Sequence, residues 1–267
     1  MRIALLDGYN LMHRSRFGMK AENGIIYTFF RSLRPLIAEL KPDKIYLVLE
    51  GAPIHRHSLD EQYKANRHIE PGTQKWEEME EFKRQKRIIV NLLKHLPINV
   101  ARHAELECDD TIASLVDHHS DDECVVVSTD TDFIQLLERK NVKLYNPVKK
   151  DFVPGVSFDY VRWKSLRGDK TDNIPAVGGM TDKAAEKLLA NQEKLAAFLE
   201  TGTNKADYER NLQLVRFKIA PIEQIEIRIP DRDIASLRTS MTELRFFSIV
   251  NDTAWSSYSK TFEPIYG

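Results

Sequence analysis

The chain has 267 residues, of which 30% are charged and 42% hydrophobic, and its formal net charge is −1. This composition is ordinary for a globular protein with ample apolar material for a core. The nearly neutral sum argues against an unspecific polyanion binder, although segregated basic residues would still allow contact with nucleic acid. No apolar run approaches the roughly 20 residues that span a bilayer, so no membrane association is expected.

The N-terminal sequence, MRIALLDGYN, is typical of a first strand and not of a signal peptide, because its apolar run is short and ends in an acid. The two cysteines, Cys108 and Cys124, have no metal-type spacing. Nothing in the sequence suggests a disulfide scaffold, so a cytoplasmic location is expected.

Short apolar runs without clean alternation predict buried parallel strands. They lie at residues 2–8, 44–51, 97–102 and 123–130, with a fifth candidate at 142–147. Helical patterns lie between them at residues 28–40, about 74–95 and 109–119. This alternation predicts an α/β fold with a parallel sheet.

From about residue 160 the pattern changes to helical runs broken by Gly168, Pro175 and the Gly178–Gly179 pair. These breaks predict a helical lobe and not further sheet. The last stretch, residues 206–267, mixes short helical and extended signals. We therefore predict three parts: an α/β core at 1–160, a lobe at 161–205, and a C-terminal segment at 206–267 that packs back on the core.

Three of the predicted strands terminate in a carboxylate: Asp7, Glu50, and Asp130 with Asp132. Functional groups collect at the carboxyl ends of parallel strands, so these side chains should converge on one edge of the sheet. A lone Asp after a strand is usually a turn residue, so Asp7 by itself would not indicate a site.

The helix that begins near residue 108 adds Glu107, Asp109 and Asp110 in its first turn. Its core-facing stripe is expected at Cys108, Ile112, Leu115 and Val116. Taken alone, the three acids favour helix capping, because carboxylates bind the free N–H groups of a first turn. A further pair, Asp169 and Asp172, lies in LRGDKTDN where the lobe begins, and a turn would explain either residue alone.

The combination of these acids favours a metal site. Like charges held a few Å apart repel one another, and desolvation at a sheet edge increases the cost. Such a cluster persists when divalent cations neutralise it, and hard oxygen ligands select Mg²⁺ or Mn²⁺. With nine candidate carboxylates, two metal ions fit better than one.

The order of these motifs resembles the flap endonuclease and 5′-nuclease family, of the kind fused to bacterial DNA polymerase I or encoded separately by bacteria and phages. The matching blocks span residues 4–189, and their combination is more specific than any one of them. They are LLDGYNLMHR, LVLEG, IHRHSLDEQYKANR, ELECDDTIASL, VVVSTDTDFIQLL and LRGDKTDNIPAVGGMTDKAAEKLL.

The resemblance implies a PIN-like (Rossmann-like) parallel sheet flanked by helices, a helical arch at about 63–95 and a helix–three-turn–helix lobe that holds duplex DNA. It implies structure-specific, two-metal hydrolysis of DNA with a 5′ flap, a free 5′ end or a branched junction, with an RNA primer as a further substrate. A monomer in a bacterial cell or a phage-infected host is expected. The implied metal ligands are Asp7, Glu50, Glu107, Asp109, Asp110, Asp130, Asp132, Asp169 and Asp172.

The resemblance also assigns roles to residues other than the acids. Lys64 and Arg67 would engage the scissile phosphate at the base of the arch, and Asp130 would bridge the two metals. An acidic site cannot attract a phosphodiester without such counter-charge. The implied DNA contacts are Arg14, Arg56, Tyr63, Lys64, Arg67, Gly178, Gly179 and Lys183.

The chain departs from the family pattern at three positions. Glu50 stands where the family usually has Asp, which lengthens the arm. Ala176 and Thr181 replace the usual glycines of the three-turn element. The resemblance implies a potassium ion at this element, bound by the backbone carbonyls of Val177 and Met180.

Three interpretations stay open beside this one. The basic run FKRQKR at 82–87 is either one side of the arch or an ordinary charged helix with a Glu80–Arg84 pair. A PIN-type ribonuclease would share the acidic sheet edge but lack the GDKTDNIP element. A non-catalytic binder of DNA structure would be expected to have an incomplete set of acids.

Overall fold

The computed structural model describes residues 1–19 and 21–265 of the chain. Its centre is a seven-stranded sheet in the order β6-β5-β4-β1-β2-β3-β7. The strands are β1 Arg2–Asp7, β2 Lys44–Val48, β3 Asn99–Arg102, β4 Glu123–Val127, β5 Val142–Asn146, β6 Asp151–Val153 and β7 Glu226–Arg228.

The predicted parallel sheet is confirmed for the five inner strands, β1 to β5. The sheet also has two edge strands that were not predicted, since β6 and β7 pair antiparallel with β5 and β3. Each edge strand has only three residues, too few to produce a readable hydrophobic period. The α/β sheet is therefore mixed, with antiparallel pairs at both margins.

The helices cover both faces of the sheet and form the lobe. Their bounds are α1 Gly8–Ser15, α2 Gly24–Leu40, α3 Ile54–Leu59, α4 Gln74–Leu92, α5 Cys108–His118, α6 Tyr160–Arg167, α7 Asp182–Leu189, α8 Gln192–Leu199, α9 Asn204–Val215, α10 Ile234–Glu243, α11 Phe247–Val250 and α12 Asp252–Phe262. Among the described residues, no helix combines the length and the apolarity needed to cross a bilayer.

Strand β1 shows why the inner strands have continuous apolar runs. Ala4 and Leu6 pack into the core on one face of the sheet, and Ile3 and Leu5 pack into the core on the other. All four side chains are fully buried. Successive residues of a strand point to opposite faces, so a strand covered on both sides has no polar positions to alternate with.

The end of β1 passes directly into α1. Asp7 caps this helix, because its carboxylate accepts the Asn10 N–H at 2.9 Å. Gly8 follows, and a Cβ built there would lie 2.5 Å from the Val48 carbonyl oxygen of β2. Glycine therefore allows α1 to start close to the sheet, which fixes the Asp7 carboxylate at the sheet edge.

The helices α6 to α9 form a lobe with a small core of its own, which includes Leu166, Val177, Ala185, Leu195 and Tyr208. The predicted boundaries at 160/161 and 205/206 fall inside α6 and α9. The three-part division of the chain stays a prediction.

The C-terminal helices pack against the main core beside α2. Met241 of α10 and Trp255 and Phe262 of α12 are buried in the same cluster as Phe30 of α2. The pattern of residues 206–267 mixes helical and extended signals, whereas the structure there is mainly helical, with β7 as its one contribution to the sheet among the described residues.

Candidate metal centre

An open cavity of about 720 Å³ lies where β1, β2 and β4 end. The structure brings seven of the nine predicted carboxylates to its wall. They are Asp7, Glu50, Asp109, Asp130, Asp132, Asp169 and Asp172. These residues come from five separate parts of the chain, so the fold itself has gathered them.

Four of these acids, Asp7, Glu50, Asp109 and Asp130, form what we call the first carboxylate group. Ser128 Oγ donates to Asp7 at 2.8 Å, and the Cys108 N–H donates to Glu50 at 3.2 Å. Among the described residues, no basic nitrogen lies within 4.0 Å of a carboxylate oxygen of this group.

The first carboxylate group is electrostatically costly. Burial raises the pKa of Asp7 to about 6 and that of Glu50 to about 7, and neighbouring acids add to both shifts. Desolvation, followed by the charges of Asp130 and Asp7, raises the pKa of Asp109 well above its usual range. Desolvation and the repulsion of like charges both disfavour the ionised form of a carboxyl, so carboxylates that crowd together without a cation have raised pKa values.

The other three acids form what we call the second carboxylate group: Asp132, Asp169 and Asp172. One carboxylate oxygen of each residue lies within 4.8 Å of one oxygen of each of the other two. Here basic side chains supply the counter-charge. Lys164 pairs with Asp132 and, at 2.7 Å, with Asp169, while Arg67 pairs with Asp172.

Lys164 is a residue that sequence reasoning missed. It is buried, and although burial lowers its pKa, Asp132 and Asp169 together raise that pKa above its usual value. In turn the Lys164 ammonium outweighs the effect of burial on Asp169 and brings the pKa of that carboxyl to about 2. The available signal was its position on α6, five residues before Asp169, one turn from the helix end.

Two predicted site residues, Asp110 and Arg56, lie away from this cavity and bind each other. Arg56 Nη1 and Nη2 donate to the two oxygens of Asp110 at 2.5 and 2.8 Å, and both side chains are buried. The Lys218 N–H also donates to Asp110. Asp110 also accepts the Glu107 N–H, which agrees with the capping interpretation. The metal contact of Asp110 and the DNA contact of Arg56 stay predictions.

Replacing Arg56 with methionine should destabilise the protein by about 3–5 kcal/mol, because the change leaves Asp110 as an uncompensated buried charge. Urea unfolding monitored by circular dichroism measures this free energy. The double variant Arg56→Met/Asp110→Leu should recover much of the loss, since it removes both charges. Equal destabilisation by the single and double variants would contradict the ion-pair explanation.

Tyr63 and Glu107 are also buried, beside the cavity. The Tyr63 hydroxyl donates to Glu107 at 2.9 Å and to Asp172 at 3.2 Å. Glu107 further pairs with Lys64 and, at 2.8 Å, with Arg56. Tyr63 has 3% of its surface exposed, and its hydroxyl links Glu107 to Asp172. Its contact with DNA stays a prediction.

The predicted basic residues Arg14, Lys64 and Arg67 do line the cavity. Helix α1 adds Tyr9 and His13, with Phe17 just beyond its end. These three positions are spaced by four residues, so they follow one helix face. Of the α1 residues at the cavity, only Arg14 was a predicted site residue, although the four-residue spacing of these aromatic side chains is visible in the sequence.

A second cavity, of about 700 Å³, lies at the lobe and is called here the lobe cavity. Gly179 and Lys183 line it, whereas Gly178 does not belong to its wall. Val177 and Met180 flank the intervening turn, and the Val177 carbonyl accepts the Met180 N–H at 3.0 Å. The potassium site and the three-turn element stay predictions.

The basic run at 82–87 belongs to α4, whose inner face packs on the core. Phe82 and Gln85 are buried, and Gln85 Oε1 accepts the Ile25 and Ile26 N–H groups at the start of α2. Arg84 pairs with Glu81 at 2.7 Å and not with Glu80 as expected. Phe82 and Gln85 therefore serve in packing, whereas Lys83 and Arg87 are exposed, and the arch at 63–95 stays a prediction.

In EDTA, Asp7→Asn should stabilise the protein more at pH 7.5 than at pH 5. The folded-state pKa of Asp7 is about 6, above the usual value of about 4, so ionisation in the folded state costs stability as the pH rises towards 6. One pKa unit corresponds to about 1.4 kcal/mol. Between pH 5 and pH 7.5 the free energy of unfolding of the variant, relative to that of wild type, should therefore rise by about 1 kcal/mol. Thermal melts at both pH values measure it, and a difference that shrinks with rising pH would contradict the assignment.

The donor set at the cavity fits divalent cations. Oxygen ligands from carboxylates are the type that Mg²⁺ and Mn²⁺ prefer. The first carboxylate group has no close ion pair with a described basic side chain, and the charge of Lys64 offsets the raised pKa values of Glu50 and Asp109 only in part. The second carboxylate group already has Lys164 and Arg67 as counter-ions. The two groups therefore present different electrostatic environments to a metal.

The fold is matched by solved structures. The T5 D15 protein co-crystallised with metal ions aligns over 99% of both chains, with a TM-score of 0.65 and 17% identity. The catalytic core of Rad2 in complex with a DNA substrate aligns over 99% of this chain and 91% of that one, with a TM-score of 0.56 and 14% identity. These likenesses confirm the PIN-like α/β fold.

Curated relatives match at the level of sequence. A thermostable DNA polymerase I of Thermus filiformis is 26% identical over 94% of this chain, and a 5′-3′ exonuclease of Mycoplasmopsis pulmonis is 26% identical over 75% of it. The chain spans 33% of the length of that polymerase and 70% of that exonuclease. The sequence model of the family described as "5′-3′ exonuclease, N-terminal resolvase-like domain" matches residues 2–165, more than half of the chain. The chain therefore belongs to the 5′-3′ exonuclease family.

Proposed function

We propose that the protein is a divalent-metal-dependent, structure-specific 5′-nuclease that hydrolyses DNA phosphodiesters near junctions of single strand and duplex. The observation that supports this most directly is the first carboxylate group, in a chain of the 5′-3′ exonuclease family: four acids converge, and no basic nitrogen of the described residues lies within 4.0 Å of their carboxylate oxygens. Solved relatives of the same fold include a bacteriophage T5 flap endonuclease in complex with DNA and metal ions.

We propose Asp7, Glu50, Asp109 and Asp130 as ligands of one Mg²⁺ or Mn²⁺, and Asp132, Asp169 and Asp172 as ligands or outer partners of a second. Bound in this way, the cations would supply Lewis acidity and an activated water for an in-line displacement. Asp130 lies next in sequence to the second group and is the proposed bridging ligand.

The basic side chains have a complementary task. Lys64 and Arg67 line the same cavity as the acids, and each is paired with a carboxylate in the free protein. We propose that they turn to the phosphate when substrate and cations are bound, because the cations then neutralise the acids. A guanidinium suits the fork contact to two phosphate oxygens, and an ammonium supplies a point charge. Arg14 adds positive charge on the α1 side.

The proposed substrates are DNA with a 5′ flap, a free 5′ end or a branched junction, and an RNA primer is a further candidate. We propose a cytoplasmic monomer. The ribonuclease alternative predicts faster cleavage of an RNA strand, and the non-catalytic alternative predicts binding without cleavage, so both are outcomes of one assay.

The assay uses a fluorescently labelled 5′-flap DNA, the corresponding single strand and blunt duplex, and an RNA version of the flap. With Mg²⁺ we expect cleavage near the junction of the flap DNA, no cleavage with EDTA, and recovery when Mg²⁺ is restored. Cleavage that persists in EDTA would overturn the metal mechanism, and binding of the flap without cleavage in Mg²⁺ or Mn²⁺ would overturn the enzymatic proposal.

A further inference from the structure

Arg167 occupies a position between the two cavities. It is the last residue of α6, directly before Gly168 and Asp169. Its side chain lines both the carboxylate cavity and the lobe cavity. Asp169 and Thr171 also line both, so the two spaces adjoin at this point. A strand that runs from the metal centre to the lobe would have to pass Arg167.

The guanidinium of Arg167 is held in place by its neighbours. Its Cζ lies 4.8 Å from the centroid of the Trp163 ring, a cation–π contact within one turn of α6. Its Nη1 donates to the Gly168 carbonyl at 3.3 Å. These contacts fix the direction of the side chain without neutralising its charge.

The charge of Arg167 has only a weak partner. Its Nε is buried and has no hydrogen-bond partner in the described part of the chain. The Asp182 Oδ1 atom lies 3.6 Å from Nε, and the Asp182 side chain is 66% exposed. An exposed ion pair of this length contributes little. Lys64, Arg67 and Lys164, by contrast, each form a close pair with a carboxylate of the site.

A buried donor without a partner is a cost that a ligand can remove. The ligand must be an anion, because the donor belongs to a guanidinium, and it must reach the boundary of the two cavities. Gly179 and Lys183 also line the lobe cavity, and a backbone N–H or an ammonium group there would likewise favour an anion. The basic groups thus follow one path from the acids to the lobe.

We propose that Arg167 binds a non-scissile phosphate of the DNA strand that passes from the carboxylate cavity to the lobe, an inference that rests on the proposed 5′-nuclease function. Phosphate would take the place of Asp182 at the guanidinium, with two donors in the fork geometry that suits phosphate oxygens. Arg167 is then a binding and positioning residue, since it would not touch the phosphate that is cut.

The test measures binding of a labelled 5′-flap DNA in Ca²⁺ at several KCl concentrations, for wild type, Arg167→Gln, Arg167→Lys and Arg162→Gln. Arg162 is the matched control, because it lies on the same helix, donates to the Tyr208 hydroxyl at 3.1 Å and lines neither cavity. Each phosphate contact contributes about 0.7–0.9 to the slope of log affinity against log salt. Arg167→Gln should lower the slope by about this amount, while Arg167→Lys and Arg162→Gln keep it near the wild-type value.

The outcomes separate this inference from the proposed function. An unchanged slope in Arg167→Gln, with wild type still cleaving flap DNA in Mg²⁺, would overturn the role of Arg167 alone. An equal fall in Arg162→Gln would overturn it too, because damage to the lobe would then explain the effect. If Arg167→Gln fails to fold in thermal melts, Asp182→Asn replaces it in the binding assay. The single variant Asp182→Asn should bind the flap DNA more tightly than wild type, because it frees the Arg167 guanidinium, and the same change made in Arg167→Lys should not, because the shorter ammonium does not reach Asp182. Equal tightening in the wild-type and Arg167→Lys backgrounds would overturn the role of Arg167. Wild type that neither binds nor cleaves the flap would sink the proposed function itself.

Discussion

Asp109→Asn should reduce cleavage of 5′-flap DNA by about 10³-fold or more, while the variant protein melts at a higher temperature than wild type in EDTA. The loss follows because Asp109 lines the cavity among the first carboxylate group, and a metal centre supplies several kcal/mol of transition-state stabilisation. The melting temperature in EDTA rises because desolvation and the charges of Asp130 and Asp7 raise the pKa of Asp109, so that its negative charge destabilises the metal-free fold. Single-turnover cleavage in Mg²⁺ and thermal melts in EDTA measure the two effects.

Asp117→Asn is the matched control for this variant. Asp117 lies on the same helix, α5, is 59% exposed and pairs only with Arg139 at 3.2 Å among the described residues. Its replacement should leave cleavage unchanged and alter the melting temperature little, since exposed ion pairs contribute about 0–1 kcal/mol. An Asp109→Asn protein that cleaves at the wild-type rate, or that melts below wild type in EDTA, would contradict the assigned role.

The convergence of the acids was predictable because it depends on topology. Asp7, Glu50 and Asp130 follow inner parallel strands, and parallel strands end on one side of the sheet whatever their exact bounds. The predicted strands ran up to three residues too long, for example 44–51 against Lys44–Val48, without affecting this conclusion. The edge strands β6 and β7 escaped prediction because three residues cannot establish a period.

The direction of individual side chains was less predictable. Successive residues of an α-helix are rotated by about 100°, so adjacent acids in one turn point to different places. Asp109 faces the cavity and Asp110 turns inward to Arg56. The motif resemblance implies that both residues are ligands, because a motif specifies residue types and their spacing but not the direction of each side chain or the residues that it contacts.

The buried ion pairs of basic residues were hard to predict for a related reason. Lys164 and Arg56 look like surface residues in sequence, where a lone lysine or arginine is usually solvated. In the structure Arg56 is buried against Glu107 and Asp110, and Lys164 against Asp132 and Asp169. Of these four acids only Asp169 is near its partner in the chain, so the other three pairs are seen only in the assembled fold.

Arg67→Ala should lower the rate of flap cleavage by about 10²-fold with almost no change in stability. Removing one preorganised donor to a developing negative charge costs about 10²–10³ in rate, and Arg67 is the proposed donor of this kind on the open side of the cavity. The Arg67 side chain, which pairs with Asp172, is 52% exposed. Loss of this ion pair should therefore cost at most about 1 kcal/mol of folding free energy. Single-turnover rates at saturating enzyme, together with urea unfolding, measure both quantities.

Lys64 is the informative comparison, because its side chain is only 17% exposed and pairs with the buried Glu107. Lys64→Ala should therefore lose both activity and stability, whereas Arg67→Ala loses activity alone. Arg67→Lys should recover part of the rate, since it restores the charge but not the fork. If Arg67→Ala cleaved as fast as wild type, or lost as much stability as Lys64→Ala, then its pairing with Asp172 would be a structural contact and the phosphate would have to be met by another residue.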